Sequence, residues 1–257
     1  MTQPVASYHD LEGKSVFISG GGSGIGAALV RGFLEQGSKV GFVDKVDSVE
    51  LCEQLEQETG ARPHFVKCDV LDIPAFRDAI SNCADANGDI SVLVNNAAWD
   101  NRQGLHELKV EDFDHMMQVN LRHHFFAIQS VAPAMANMGS GSIINYSSTS
   151  YMIGIAGMSA YIATKSAITG MTRSLARELG PDNIRVNAVM PGWVFTERQQ
   201  ELWATPESVA AHIDRQCLQE KMTTQDMVSP TLFLASGAST MMTGQALVVD
   251  AGVVVSG

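Results

Sequence analysis

Two residues in the second half of the chain have side chains and spacing suited to proton transfer. Tyr161 and Lys165 stand four positions apart in a predicted helix, so they should share one face about a turn apart. A free tyrosine has a pKa near ~10, too high for a good base at neutral pH, and a nearby ammonium group lowers it. The pair could therefore act as a general acid or base. Ser148, at the end of a predicted strand thirteen residues before Tyr161, could join them.

A glycine-rich turn near the N-terminus is suited to binding phosphate groups. The residues from Ser19 to Gly26 spell Ser-Gly-Gly-Gly-Ser-Gly-Ile-Gly, between a predicted strand and a predicted helix. Glycine allows a tight turn and a close approach to a pyrophosphate, and the helix N-terminus supplies free N–H groups. This strand–turn–helix context predicts a dinucleotide site. We expect the site to include Gly20, Ser23, Gly24, Ile25 and Gly26.

Asp44 bears on which dinucleotide would bind. It ends the second predicted strand, eighteen residues after Gly26. An acidic side chain there can accept hydrogen bonds from the adenosine ribose diol, and it would repel a 2′-phosphate. The glycine turn has no arginine or lysine to bind that phosphate, although Lys45 softens the repulsion. These residues favour NAD over NADP.

Predicted strands and helices alternate along the chain and must position these residues. Strands are predicted at 15–18, 40–43, 64–66, 90–94, 142–146, 184–189 and 247–249. Helices are predicted at 24–36, 49–59, 74–87, 110–138 and 160–179. This alternation is typical of an α/β fold with a doubly wound parallel sheet.

One segment, at about 193–224, departs from the rhythm and contains two of the three tryptophans. It lies between the sixth strand and the last helix, where a substrate lid would sit. The chain has no internal repeat and no linker. We therefore predict a single NAD-binding catalytic domain over residues 1–257, with a lid at about 193–224.

The composition argues against several classes of function. A net charge of −11 at pH 7 disfavours binding to nucleic acid or to an anionic membrane. The four cysteines, and the histidines His115, His123 and His124, have no metal-ligand spacing, so we expect no metal and free thiols in a reducing cytoplasm. No apolar run reaches the ~18 residues that span a bilayer. Residues 1–10 lack the pattern of a signal peptide.

Taken together, these motifs resemble those of the short-chain dehydrogenase/reductase family over nearly the whole chain. Besides the glycine turn and Tyr-x-x-x-Lys, the matches include Asn95-Asn96-Ala97-Ala98, Asn120, and Pro191-Gly192 followed by Thr196. Ser19 stands where the family pattern has threonine, and Ala98 where it has glycine, and both changes are small. The resemblance and the alternating pattern imply a Rossmann fold whose seven strands have the order 3-2-1-4-5-6-7.

The resemblance also implies a role for each matched residue. Tyr161 would be the general acid or base, Lys165 would lower its pKa and hold the nicotinamide ribose, and Ser148 would orient the substrate oxygen. Asn120 would position a water that links Lys165 to solvent. The implied cofactor is NAD, held by the glycine turn, Asp44, Tyr161 and Lys165 together with Asp69, Val70, Asn96, Ala97, Pro191, Gly192, Val194 and Thr196.

Within the family, the chain looks most like bacterial aldose 1-dehydrogenases of the D-xylose, L-arabinose or D-galactose type. Polar groups and an aromatic platform suit a polyhydroxylated ring. The candidate substrate residues are Ser148 and Tyr161 together with Asp100, Asn101, Arg102, Gln199 and Trp203. The predicted reaction is oxidation of a sugar at C1 to the lactone.

Two other functions stay open on sequence grounds. One is reduction of a ketone or of a carrier-bound 3-oxoacyl group, which Asp44 and the lack of a basic patch disfavour. The other is a non-catalytic NAD-sensing module, which would be expected to have lost part of the set Asn120, Ser148, Tyr161 and Lys165. Family members usually pair subunits through the helices that begin near Val110 and Ala160, so we expect a homotetramer.

Overall fold

A computed structural model of the chain describes residues 6–255. Residues 1–5, part of the segment examined for a signal peptide, lie outside the described residues, as do 256–257. Seven parallel strands form one sheet in the order β3-β2-β1-β4-β5-β6-β7, which confirms the predicted order. The strands are β1 Ser15–Ser19, β2 Lys39–Asp44, β3 His64–Lys67, β4 Val92–Asn95, β5 Gly141–Tyr146, β6 Ile184–Pro191 and β7 Ala246–Val249.

The central strands are short apolar runs because both faces of the sheet are covered. Every residue of β1 and β4 is buried, and Phe17 and Leu93 pair in register between these two strands. Strands buried on both faces lose the alternation of apolar and polar residues that marks a half-exposed strand. The chain leaves β1 for β2 on one side and later returns to β4 on the other. In such sheets, ligands bind beyond the carboxyl ends of the strands at this switch point.

Ten α-helices accompany the sheet in the described part of the chain. They are α1 Gly24–Glu35, α2 Val49–Thr59, α3 Ile73–Asn87, α4 Val110–Met117, α5 His123–Met138, α6 Ser150–Ile153, α7 Ser159–Leu179, α8 Glu197–Leu202, α9 Pro206–Ile213 and α10 Val228–Ala235. Helix α1 contacts both α2 and α10 around one apolar cluster, and α5 contacts both α3 and α7 around a second. The sheet lies between these two layers.

The prediction of a single helix over 110–138 is wrong in one detail. Helices α4 and α5 are joined by a π-helical turn, Gln118–Arg122, instead of running on as one α-helix. An apolar periodicity does not reveal one extra residue in a turn, and such π-turns are frequent at functional sites. Asn120 lies in this turn and is fully buried.

The segment 193–224 stands outside the sheet and carries α8 and α9. Both helices are short, and each starts at a threonine whose side chain accepts a backbone N–H, Thr196 for α8 and Thr205 for α9. An isolated parallel bridge between Val194 and Met222 closes the segment into a loop. Across residues 6–255, no helix combines the length and the apolar character needed to cross a membrane.

Candidate active site

A cleft of about 580 Å³ opens at the carboxyl ends of β4, β5 and β6. Its walls come from the loops that follow these strands, from the first turn and a half of α7, and from the segment 193–224. Tyr161, Lys165 and Ser148 line it, as do Asp100 and Arg102. The fold therefore brings together residues that the sequence separates by up to 65 positions, from Asp100 to Lys165.

Helix α7 holds the candidate proton-transfer pair. The Lys165 Nζ donates a hydrogen bond to the backbone oxygen of Tyr146 at 2.9 Å and lies 5.5 Å from the centre of the Tyr161 ring. Tyr146 is the last residue of β5, and Ser148 follows two positions later. Ser148 lines the cleft together with Tyr161, and its hydroxyl accepts the backbone N–H of Ser150 at 3.1 Å. Strand β5 and helix α7 thus assemble the three side chains.

Burial favours the neutral form of both titratable groups. It lowers the pKa of Lys165 to about 7, against which the charge of Asp100 acts weakly. Burial raises the pKa of Tyr161 and the charge of Asp100 raises it further, while the Ser148 hydrogen bond and the charge of Arg102 lower it. Lys165 stands close to the Tyr161 ring, so the lowering of the Tyr161 pKa predicted for this pair requires Lys165 to keep its proton.

The glycine turn leaves room for a ligand because side chains are excluded from it. A Cβ on Gly26 would lie 1.8 Å from the backbone oxygen of Gly20, and one on Gly20 would lie 2.8 Å from the Cα of Ala97. Gly20 and Gly24 also have positive φ angles, of 70° and 53°. Glycine is the residue that adopts such angles without strain. The turn is therefore bare backbone facing the N-terminus of α1.

Ser19 and Asn96 fasten this turn to the loop after β4. The Ser19 hydroxyl accepts hydrogen bonds from the backbone N–H groups of Asn96 at 3.0 Å and Ala97 at 3.2 Å. The Asn96 side-chain amide donates to the Gly20 oxygen at 2.9 Å. Threonine, which the family pattern has at Ser19, carries the same hydroxyl. This explains why the exchange is tolerated.

Acidic residues follow β2 and β3 at the same edge of the sheet. The Asp44 carboxylate accepts the N–H of Gly22 at 2.9 Å and that of Val46 at 3.1 Å, so it lies directly beside the glycine turn. Asp69 is exposed and accepts the N–H of Leu71, and Val70 is buried. These positions suit the ribose and adenine of a dinucleotide.

The turn after β6 closes the other end of this edge. Pro191 and Gly192 line the cleft, and the Gly192 N–H donates to the Val249 oxygen of β7 at 2.9 Å. The Thr196 methyl group lies 3.3 Å from where a Cβ on Gly24 would be. Val194 is buried beneath them. The segment 193–224 therefore begins in contact with the glycine turn.

Asn120 is placed differently from expectation. Its side-chain oxygen accepts the backbone N–H of Trp99 at 2.7 Å, and its amide donates to the Trp99 oxygen at 2.8 Å. Both halves of the amide are thus committed to the loop after β4, and the residue does not line the cleft. The π-turn presents Asn120 to this loop, so its side chain orients the segment that carries Asp100.

The candidate substrate residues come from two segments that are distant in the sequence and together form one wall of the cleft. The Gln199 amide donates to the Asp100 carboxylate, and its oxygen accepts the indole N–H of Trp193 at 3.0 Å. The Arg102 guanidinium lies 4.3 Å from the centre of the Trp203 ring. Asn101 is half-buried but does not line the cleft. Asp100, Arg102, Gln199 and Trp203 do meet there.

Three residues of this wall were not foreseen from the sequence. Arg198 forms an ion pair with Asp100, with its Nε 3.6 Å from Oδ1, and His212 and Arg215 line the cleft from α9 and the turn after it. Pairing between α8 and a loop a hundred residues earlier leaves no periodic signal. No spacing in the sequence links His212 or Arg215 to Gln199 and Trp203.

His123 and His124 are fully buried in α5, and burial lowers the pKa of His123 to about 3 and lowers that of His124 as well. The His123 Nε2 lies 3.3 Å from the Ser19 hydroxyl. His123 therefore supports the glycine turn at Ser19 as a neutral ring. Within residues 6–255, no three His, Cys, Asp or Glu side chains cluster as a metal site would require.

Comparison with known proteins places this arrangement in a family. A family model described as enoyl-(acyl carrier protein) reductase matches residues 20–254. A probable galactose dehydrogenase, GalD, of Rhizobium meliloti is 48% identical over 98% of this chain and 100% of its own length. A D-xylose 1-dehydrogenase of Caulobacter vibrioides is 42% identical over 96% of this chain and 98% of its own.

This chain is also similar in structure to solved members of the family. A blue fluorescent protein from a metagenomic library, solved in complex with NADPH, superposes with a TM-score of 0.87 at 34% identity, covering 96% of this chain and 100% of that one. The matches extend across the sheet, the glycine turn and helix α7. The chain therefore belongs to the short-chain dehydrogenase/reductase family, whose Rossmann fold binds a nicotinamide cofactor.

Proposed function

We propose that this protein oxidises an unphosphorylated aldopyranose at C1 to the lactone with NAD. The observation that carries the proposal is the cleft itself. Tyr161 and Ser148 stand at its catalytic wall, and a polar wall of Asp100, Arg102 and Gln199 faces the same space. Both relatives described above are sugar dehydrogenases by name. A ring covered with hydroxyl groups suits such a lining better than a steroid or an acyl chain does.

The residues present fit a dinucleotide. The backbone of the glycine turn from Gly20 to Gly26 would hold the pyrophosphate at the start of α1. The turn from Pro191 to Thr196 would hold the carboxamide of the nicotinamide. The Asp44 carboxylate would accept hydrogen bonds from the ribose hydroxyls and would repel the negative charge of a 2′-phosphate, which supports NAD over NADP. When bound, the oxidised nicotinamide accepts the hydride, and its positive charge favours the Tyr161 phenolate.

The chain's own residues handle one proton. The Tyr161 oxygen takes it from the anomeric hydroxyl while Ser148 donates a hydrogen bond to the same sugar oxygen. Lys165, which donates a hydrogen bond to the Tyr146 backbone oxygen, would hold the nicotinamide ribose. Because Tyr161 must be deprotonated to act as the base, oxidation should accelerate as pH rises through its pKa and then level off.

We propose that the segment 193–224 is the substrate lid of a single catalytic domain. Its contacts with the loop after β4 are made by side chains, namely the Arg198–Asp100 ion pair, the Gln199–Asp100 hydrogen bond and the Arg102–Trp203 stack. Such contacts can break and re-form without disturbing the sheet.

The test of the activity is a panel of aldoses, polyols and hydroxysteroids with NAD, and of carrier-linked 3-oxoacyl compounds with NADH, followed at the absorbance of NADH. We expect at least one aldose to be the best substrate, with lactone as the product. A panel in which no aldose reacts while a steroid reduces NAD, or a carrier-linked ketone oxidises NADH, would replace this proposal with the reductase alternative.

We also propose a homotetramer. Val110, Phe113 and Phe125 on α4 and α5 are exposed apolar side chains on adjoining helices. Such groups are commonly covered in an oligomer. Light scattering at micromolar concentration should give about four times the mass of the chain, and a monomer would contradict this.

A further inference from the structure

Three nitrogen atoms at the lid side of the cleft are buried and have no hydrogen-bond partner in the chain. They are Arg102 Nε, Trp203 Nε1 and His212 Nε2. All three residues line the cleft. An unpaired buried polar group costs roughly 1–3 kcal/mol, so a cluster of three at one wall indicates a partner from outside the chain. We refer to these three residues as the donor cluster.

The neighbouring polar side chains of the same wall are satisfied. The Gln199 amide uses both its oxygen and its nitrogen, and the Trp193 indole N–H donates to it at 3.0 Å. Asp100 is paired with Arg198 and Gln199. Gln103 and Gln216 also carry a buried, unpaired oxygen, in the loop after β4 and in the lid, but neither residue lines the cleft.

Each member of the donor cluster is held by an aromatic contact. The Arg102 guanidinium lies over the Trp203 ring at 4.3 Å, and the His212 ring packs edge-on against Trp193 with centroids 5.2 Å apart. Burial and the charge of Arg215 lower the pKa of His212, so the ring is neutral at pH 7. A neutral imidazole carries one donor and one acceptor, as a sugar hydroxyl does.

We propose that His212, with Trp203 and Arg102, binds the hydroxyl groups of the sugar remote from C1, and that His212 is a specificity-determining residue. This inference rests on the proposed function. Tyr161 and Ser148 define where C1 reacts, and the donor cluster belongs to the lid and to the loop it contacts. Two N–H donors and a neutral imidazole would therefore recognise oxygen atoms in the unreacting part of the ring.

The experiment pairs variants of the enzyme with altered sugars. His212→Phe and Trp203→Phe keep the aromatic packing and remove the nitrogen atoms. His115→Phe is the matched control, because His115 also packs edge-on against a tryptophan, Trp99 at 4.8 Å, but does not line the cleft. The substrates are the best aldose and its monodeoxy analogues, and the unfolding midpoint of every variant is measured alongside.

We expect His212→Phe to raise KM for the parent sugar about tenfold with little change in kcat, as for one lost hydrogen bond. At least one deoxy analogue should show no further loss, because its missing hydroxyl is the partner of His212. Trp203→Phe should show the same pattern, for the same or another hydroxyl. His115→Phe should leave KM unchanged for every sugar.

The possible failures are distinguishable. If the wild-type protein oxidises no aldose, the proposed function fails and the inference falls with it. If it oxidises an aldose and both variants lose activity equally on the parent and on every deoxy analogue, or lose none, only the inference is overturned. If a sugar bearing a carboxylate is preferred and only Arg102→Lys abolishes that preference, the cluster binds an anion instead.

Discussion

The glycine-turn end and the lid end of the cleft are built in contrasting ways. At the turn, backbone meets backbone, since a Cβ on Gly26 would lie 1.8 Å from the Gly20 oxygen. At the lid, contacts are between long side chains from distant segments, such as Arg102 with Trp203. The first end tolerates almost no change in shape, whereas the second can be rebuilt one side chain at a time.

This difference separates two tasks. A cofactor common to many reactions can be held by a fixed backbone surface, because its shape does not vary. A substrate is distinguished from its isomers by the placement of single hydroxyl groups, which requires side chains whose identity can change. Helix α7 stands between the two ends and presents Tyr161 to both.

The largest expected effect is that of replacing Tyr161, which lies between the two ends of the cleft. Tyr161→Phe keeps the ring and removes the hydroxyl, so kcat should fall by ~10² to 10⁴-fold, the usual value of general acid–base catalysis. Binding of NAD, measured by calorimetry, should persist because the glycine turn is untouched. Turnover within a few-fold of wild type would remove Tyr161 from its role.

At the cofactor end, adding a single methyl group should be severe. Gly26→Ala places a Cβ against the Gly20 oxygen, and overpacking of this kind costs roughly 1–3 kcal/mol or more, equivalent to a weakening of NAD binding by about 10- to 100-fold. Gly180→Ala is the control, since a Cβ there meets nothing within 4 Å. Equal cofactor dissociation constants for the two variants would show that the turn is not rigid.

The choice of cofactor should be set at the same end. Asp44→Ala removes the proposed acceptor for the ribose hydroxyls, and a hydrogen bond to a charged group is worth about 1.5–3 kcal/mol. We expect kcat/KM with NAD to fall by roughly tenfold or more, and Lys45→Arg added to it should raise use of NADP. Asp47→Ala is the control, because Asp47 bonds only the nearby Val49 N–H. Wild-type protein that already uses both cofactors equally well would refute the role of Asp44.

The smallest expected effect is a shift in the pH profile of oxidation when Asp100, at the lid end of the cleft, is replaced. The negative charge of Asp100 raises the pKa of both Tyr161 and Lys165. Asp100→Asn removes that charge, so both pKa values should fall and the rise in oxidation rate should occur at lower pH. The pH profile of kcat for the best sugar measures this. A profile that does not move, or that moves to higher pH, would contradict the electrostatic coupling.

Asp112→Asn is a suitable control for that profile. Its carboxylate accepts a hydrogen bond from the Gln103 side chain, at 2.9 Å, on α4 beyond the cleft. Asp112 is not among the charges that shift the pKa of Tyr161. Its replacement should therefore leave the pH dependence unchanged.

The same contrast explains what could be predicted from the sequence. Strand order, the glycine turn and the grouping of Ser148, Tyr161 and Lys165 follow from short-range patterns and from motifs, and the structure brings these residues together. The π-turn at Gln118–Arg122 was missed because one extra residue barely alters apolar periodicity. The hydrogen bonds of the Asn120 side chain to Trp99 were not foreseen for the same reason.

The lid wall was predicted only in part. Asp100, Gln199 and Trp203 were identified by resemblance, but their partners were not. The pairing of Arg198 with Asp100 and the burial of the His212 nitrogen depend on how two segments dock, which is a tertiary property. A sequence shows which residues are polar, but not which polar atoms remain unpaired after folding.

The positions of the tryptophans also make intrinsic tryptophan fluorescence a probe of the cleft. The chain has three, of which Trp193 and Trp203 line the cleft and Trp99 directly precedes Asp100. Nearly all of the indole emission therefore arises within or beside the site. Because reduced nicotinamide absorbs where indole emits, energy transfer should quench this fluorescence as NADH binds. Displacement of the Arg102 guanidinium from the Trp203 ring should alter it separately. Stopped-flow fluorescence could thus time cofactor arrival and lid movement without an attached dye.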